Sequence, residues 1–249
     1  GVGRGGGGIY VADSNSAVEI TNSTLSGNQS AGDGGGIFNG GIVTITASTL
    51  YNNLATVSGG GISNGWTVTI TNSTLSGNSA SGSAGSGGGI ATGGTVTINS
   101  STLTGNSGGN ISFSNTVSHT VTVRNTIIAN GLSGGNCFGL ITDGGNNLQS
   151  ADTSCGASIP VADPLLGSLQ NNGGPTLTHA LLRGSPAIDA GNPTGCTDAQ
   201  GNPLTTDQRG VARPQGGRCD IGAYEYDLIA PTLNFPSNGN TPSTTRPLF

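Results

Sequence analysis

The chain has 249 residues, of which 47 are glycine and only 8% are charged, with seven Arg and no Lys against twelve acids and a net charge of −5. Scattered Arg without a basic stripe exclude a nucleic-acid interface, and no apolar run reaches the length of a membrane-spanning helix, so no direct membrane insertion is expected. Gly, Ser and Thr at these levels resemble a low-complexity chain, but Ile, Val and Leu recur at fixed places and exclude that reading.

The recurrence begins at the first residues. Glycine triplets lead into Ile9, Ile37, Ile62 and Ile90, and a weaker opening, Gly108-Gly109-Asn110, leads into Ile111. The spacings between these Ile residues are 28, 25, 28 and 21. Each opening is followed by an alternating run: Val18-Glu19-Ile20, Val43-Thr44-Ile45, Val68-Thr69-Ile70, Val96-Thr97-Ile98 and Val121-Thr122-Val123. Alternation of this kind puts Val and Ile on one face of a strand and Thr on the other. Leu25, Leu50, Leu75, Leu103 and Ile128 follow, and then Asn28, Asn53, Asn78, Asn106 and Asn130.

One such unit has an apolar face and nothing to cover it, whereas stacked copies bury that face together. The period is too short for ankyrin or tetratricopeptide units, helical periodicity is missing, and a leucine-rich repeat needs more Leu per unit. The expected fold is all-β: a parallel β-helix with three short strands per coil over 1–130. Gly triplets suit corners, inserts such as Ser79–Ser86 bulge from a corner, and the five Asn are expected to stack as an amide ladder.

After Asn130 the repeat fades. Residues 131–227 read as terminal coils and an irregular C-terminal cap, because an open solenoid end leaves backbone groups unpaired. Cys137, Cys155, Cys196 and Cys219 all lie there, without the spacing of a zinc site. Sequential pairing, Cys137 with Cys155 and Cys196 with Cys219, is favoured over free buried thiols, and it fits an oxidising, extracellular setting. Asp207, Arg209 and Asp220 are expected to form cap ion pairs, with calcium binding as the alternative; no other cofactor is expected. Residues 228–249, rich in Pro, Asn and Thr, read as a linker or strand-like tail leading to a further module, and Gly1 before a glycine triplet reads as the start of a piece of a longer chain.

The GGGI…VTITNSTLSGN units resemble those of polymorphic outer membrane protein repeats and related bacterial right-handed β-helix proteins. The segment DPLLGSLQNNGGPTLTHALLRGSPAIDAGNP, with TDQRGVARPQGGRCDIGAYEY after it, is similar to the terminal region of the choice-of-anchor (Q-type) class of bacterial surface proteins. The resemblance implies a right-handed parallel β-helix at the cell surface and carries no catalytic residues with it. Leu stands where many of those outer membrane repeats have Phe, and outer-membrane anchoring is not carried over.

Motifs for chemistry are sparse. Gly105-Asn106-Ser107-Gly108-Gly109 matches a nucleophile elbow but falls in a repeat corner instead of a strand-to-helix turn. Gly1, Gly3 and Gly6 match a dinucleotide fingerprint with no helix behind it. A polysaccharide lyase or glycosidase needs paired carboxylates or a calcium cluster with a base, and residues 1–130 hold only Asp13, Glu19 and Asp33 as acids, Arg4 and Arg124 as bases, and His119 without an acidic neighbour. The expectation is a non-enzymatic structural or adhesive segment of a bacterial surface protein, assembling with itself head to tail or holding surface glycans. The alternatives are a glycan- or ice-binding face made by Thr44, Thr46, Thr69, Thr71, Thr97 and Thr122, and the lyase or glycosidase.

Overall fold

The computed structural model describes residues 5–82, 85–113 and 120–227. The readings of Gly1, Gly3, Arg4, His119 and the tail 228–249 lie outside the described residues. Three six-stranded sheets, all with parallel pairing, wrap one core. The first contains Ile9–Val11, Ile37–Asn39, Ile62–Asn64, Ile90–Thr92, Ile111–Phe113 and Cys137–Phe138. The second contains Ala17–Thr21, Ile42–Thr46, Thr67–Thr71, Thr95–Asn99, Val121–Arg124 and Thr142–Asp143. The third contains Thr24–Ser26, Thr49–Tyr51, Thr74–Ser76, Thr102–Thr104, Ile127–Ala129 and Leu148–Gln149. A short fourth sheet joins Gln29–Ser30, Leu54–Ala55 and Ser79–Ala80.

Like residues lie over like. Val68 pairs with Val43 and Val96, Ile70 with Ile45 and Ile98, and Leu75 with Leu50 and Leu103. All of these side chains are fully buried. Each is worth roughly 1.5–3 kcal/mol of burial, available only when a neighbouring coil covers it. The stack, not the single coil, is therefore the folding unit.

Two corners explain conserved-looking punctuation within the repeat. The first Gly of the later three triplets adopts a left-handed conformation, with φ of 68° at Gly34 and Gly59 and 65° at Gly87. The second has no room for a side chain: a Cβ at Gly35 would lie 2.4 Å from the Gly60 carbonyl oxygen. Between the second and third sheets one residue per coil also turns left-handed, at Asn22, Ala47, Asn72, Ser100 and Asn125 with φ of 47–48°. The chain turns there so that the next Ser or Thr points inward. Backbone N–H groups of Ser23, Ser48 and Ser73 donate to the hydroxyls of Ser48, Ser73 and Ser101 in the coil above, each at 3.1 Å.

The amide ladder is present with one substitution of members. Asn28, Asn53 and Asn78 each donate from Nδ2 to the next Asn Oδ1 at 2.9 Å, ending on Asn106. Asn106 then donates to Asn110 at 2.7 Å, and Asn110 to Asn136 at 2.9 Å. Asn130, expected as the fifth rung, is exposed and takes no part. It stands one position early, in the left-handed row of Gly27, Asn52, Gly77 and Gly105, with φ of 51°. Gly131 occupies the rung position. The third Gly of each triplet lies against the ladder, a Cβ at Gly61 being 3.3 Å from the Asn78 amide carbon. In the fifth coil the two positions exchange residue types, and Asn110 reaches into the space that Gly131 leaves.

The end of the solenoid is closed by the segment 150–162. Cys137 and Cys155 are disulfide-bonded, Ile159 is buried in the main core, and Gln149 donates from Nε2 to the carbonyls of Gly156 and Ile159 at 2.7 and 2.8 Å. The backbone N–H groups of Asn136 and Cys137, at the edge of the first sheet, donate to Asp152 and Ser154. The region after Asp163, expected at the open end, packs instead along the side of the solenoid. Its antiparallel hairpin, Leu166–Gln170 with Thr178–Leu181, and its later loops cover the third sheet. That sheet presents an outward row of Thr49, Thr74, Thr102 and Ile127, which water cannot reach in the folded chain. Leu181, Ala187 and Ile221 pack on Ile127 and Leu148 in a second apolar cluster.

The exchange of rungs gives a direct test. Asn78→Leu removes a donor to Leu50 O and Asn106 Oδ1 and an acceptor for Asn53, leaving several buried groups unpaired. We expect a loss of at least about 3 kcal/mol by denaturant unfolding, at roughly 1–3 kcal/mol per orphaned group. Asn130→Gly, at an exposed left-handed corner, is expected to stay within about 0.5 kcal/mol of the parent. Equal losses would remove the amide ladder as a stabilising element.

Candidate functional site

Outward residues of the second sheet form a single file. Glu19, Thr44, Thr69, Thr97, Thr122 and Thr142 are neighbours in register, spaced by about 4.8 Å from strand to strand. Thr44, Thr69, Thr97 and Thr122 are half-buried. The adjacent row, Thr46, Thr71, Asn99 and Arg124, runs beside the side module. Thr71 is buried rather than displayed, at 8% exposure, and Asn99 donates to the Thr197 carbonyl at 2.6 Å. A binding face of six threonines is therefore narrowed, Thr71 being withdrawn from it and Thr46 lying half-buried in the same row.

Docking of the side module uses residues that the sequence did not single out. Gln208, 1% exposed, accepts from the Thr74 hydroxyl at 2.6 Å and donates to the hydroxyls of Thr49 and Thr176, both at 2.9 Å. The Thr49 hydroxyl donates to Leu177 O at 2.6 Å, and the Ala223 N–H donates to the Thr102 hydroxyl at 3.1 Å. From the left-handed corner, Asn72 and Asn125 donate to the carbonyls of Thr206 and Asp220. His179 bridges the module and the third sheet: Nδ1 donates to Gly167 O at 2.7 Å, and Nε2 lies 2.9 Å from the Ser76 hydroxyl. Burial pushes its pKa below the ordinary value. The signal in sequence was a second column of Thr, at the starts of the T-L-x strands.

Inside the module, Arg209 pairs with Asp207 at 2.7 Å and lies 3.6 Å over the Tyr224 ring. Asp220 does not pair with an Arg, contrary to expectation. Its carboxylate accepts the backbone N–H groups of Asp189 and Tyr226. The second ion pair joins Arg213 and Glu225, with Nε 3.0 Å from Oε2 but off the hydrogen-bond axis. Both side chains are fully buried. Burial pushes Glu225 up to about 7 against the pull of Arg213, and it also raises Asp220 and lowers Arg213. Cys196–Cys219 is the second disulfide, and no free cysteine remains.

Three acids of the coils, Asp13, Asp33 and Asp143, are engaged by neighbouring groups. Asp13 accepts from Asn15 N and Ser16 Oγ, and Asp33 accepts from the Ser58 hydroxyl at 2.5 Å. Asp143 accepts from Gly145 N and Asn147 Nδ2. Among the described residues no group of three or more His, Cys, Asp or Glu converges as a metal would need. Ser107 of the elbow-like motif lies in a bridge between coils, paired with Ser79 and Leu132. Among the described residues no helix is long and apolar enough to cross a membrane.

Parallel coils, stacked rows and a closed end define a β-solenoid protein. The handedness and kinship follow from sequence: the family described as "Right handed beta helix region" matches residues 7–154. The chain belongs to the right-handed β-helix family. No curated protein and no solved structure matches it.

The Glu225 environment predicts a pH effect of definite sign. A carboxyl whose folded pKa is raised from 4.5 to about 7 binds a proton more tightly in the folded state. Its stabilising contribution is full below pH 4.5 and is lost as pH rises through 7. Between pH 4.5 and 8 the parent is expected to lose up to roughly 3 kcal/mol relative to Glu225→Gln. Thermal unfolding of both proteins across that range, compared pairwise so that His179 cancels, checks the sign.

Proposed function

We propose that the chain is a non-enzymatic structural and adhesive segment of an extracellular, cell-surface protein. The observation that carries this reading is the continuity of the core rows and the amide ladder. Apolar side chains stack in register from coil to coil, Asn side chains bond to one another along the ladder, and the side module braces several coils at once through Gln208, Asn72 and Asn125. Such a body is stiff along its axis and offers a protease few loose segments.

Two disulfides support an oxidising compartment. Similarity of the repeats and of the Asp163–Gly191 and Thr206–Tyr226 segments to bacterial surface proteins supports placement at the cell surface. The lyase and glycosidase reading has less support, since Asp13, Asp33 and Asp143 already accept hydrogen bonds from neighbouring groups and Glu19 has Thr44 as its register neighbour instead of a second carboxylate. Head-to-tail fibres also have less support, because segment 150–162 covers the last coil and bonds its edge.

The test is the non-reduced protein incubated with thermolysin and, separately, with polygalacturonate, alginate and xylan. We expect a body of residues 5–227 that survives protease for hours, and no release of reducing or unsaturated sugars. Sugar release abolished by Asp13→Asn or Glu19→Gln would overturn the non-enzymatic reading.

A further inference from the structure

We propose that the last strand of the second sheet, with the cleft beside it, is a docking edge for an extended segment of a partner protein that carries a Lys or Arg at one defined step. This goes beyond the structural role, which needs no partner at this end.

Segment 150–162 closes the final coil unevenly. At the first sheet it supplies Asp152 and Ser154 to the N–H groups of Asn136 and Cys137. At the third sheet Gln149 N–H donates to Pro160 O at 2.9 Å, and Gln149 bridges to Val161. At the second sheet Thr142–Asp143 is the terminal strand and pairs only with Val121–Arg124. Gly144 N–H points back to Val123 O at 2.7 Å. Asp143 alternates with Gly144 along the strand, so its N–H and C=O face outward, and among the described residues no group bonds to them. An open edge of this kind is a template for one more strand. Leu140, 70% exposed, stands just before it.

The residue that ends the core column decides which strand fits. Ile20, Ile45, Ile70, Ile98 and Val123 lie in register, and the next position is Asp143. Its Oδ1 accepts from Gly145 N–H at 2.9 Å and Asn147 Nδ2 at 2.7 Å, while Oδ2 has no partner among the described residues. An apolar residue laid over Asp143 would leave that oxygen desolvated and unpaired. A Lys or Arg there brings both a counter-charge and a donor. Asp143 therefore rejects a further strand of the chain's own type, which has Ile or Val at this step, and selects a basic one. The chain has no Lys, and none of its own residues in this column is basic, so the occupant is a different protein.

Beyond Asp143, the corner at Asn146 and Asn147 opens into a cleft of about 430 Å³ between segment 150–162 and the side module. Leu148, Pro160, Ala162, Pro186, Ala190 and Ile221 line it, and Asp143 is its one charged lining residue. A strand parallel to Thr142–Asp143, the orientation of every pair in this sheet, carries its C-terminal continuation toward this cleft. The occupant is thus an extended segment with a basic residue over Asp143 and large aliphatic side chains after it.

Calorimetric titration of the full chain with the synthetic peptide Thr-Val-Thr-Lys-Thr-Leu-Leu, and with versions bearing Ile or Glu in place of Lys, tests this. We expect the Lys peptide to bind at least tenfold more tightly than the other two, and less tightly as salt rises. Asp143→Lys is expected to reverse the order in favour of the Glu peptide, and Ala190→Trp, which fills the cleft, to weaken the Lys peptide at least tenfold. Asp143→Asn, expected to abolish the preference for Lys over Ile, keeps the test decisive should either of those variants fail to fold. The proposal is overturned if the Lys peptide does not bind, if the three peptides bind alike, or if the preference survives Asp143→Asn. It is also overturned if binding appears only after residues 228–249 are removed, or if sedimentation shows a dimer of the parent that the Lys peptide does not dissociate. Protease resistance reads the structural role separately, so the two can fail independently.

Discussion

Parallel pairing in register is the constraint on which everything else in this chain depends. It places each residue directly above its counterpart, so whatever a row contains must be compatible with itself. For Ile, Val and Leu this is easily met, since apolar atoms pack against their own kind. For buried polar groups it is severe, because each must find a donor below and an acceptor above. Asn meets that demand in one side chain, with Oδ1 accepting two N–H groups from one neighbour while Nδ2 donates to the other. Ser does so less fully, accepting from the next backbone N–H and donating to a carbonyl of its own coil. A row that loses a member leaves two neighbours unpaired, which is why Gly131 is accompanied by Asn110 from the opposite side of the corner.

The same constraint explains why the side module exists where it does. A solenoid with three outward faces has no need to cover any of them if all are polar. The third face, however, changes from Thr102 to Ile127 and then Leu148 as the coils proceed. Covering that apolar end brings polypeptide over the Thr residues as well, and their hydroxyls then need partners. Gln208 meets this need by spanning Thr49 and Thr74 with one amide. The module's own buried charges follow from the same geometry. Irregular loops cannot pair their N–H groups in ladders, so the carboxylates of Asp207, Asp220 and Glu225 accept them.

Much of this was legible in the sequence, and the failures have physical causes. The core rows and the glycine corner follow from spacing alone, because stacking imposes a period that substitution cannot hide; the sequential disulfides, favoured because each pair brackets a loop-like segment, are the ones the fold contains. Asn130 misled because the amide rung and the left-handed corner both favour Asn and lie one position apart; the informative residues were Gly131 and the broken triplet at Asn110. The location of the module was not legible, since a segment following the last coil is equally placed to cover an end or a side. Asp220 is expected in an ion pair because an Arg fork suits a carboxylate, whereas the fold turns it toward backbone N–H groups and gives Arg213 to Glu225.

Coil length is where this architecture is free to vary. The opening Ile residues recur after 28, 25, 28 and 21 positions, yet the rows of Ile, Val and Leu remain in register through every change. Extra residues leave at a corner and return, so they alter relief without altering the core. Gly85 and Ser86, at the end of one such addition, stand beside the first sheet and border a cleft over its small side chains. A glycine at position 85 lets the ring of Phe138, two coils on, lie against that wall. Surface relief can thus be built by insertion and by outward substitution along a row, at little expense to stability, because neither touches the ladders that hold the coils together.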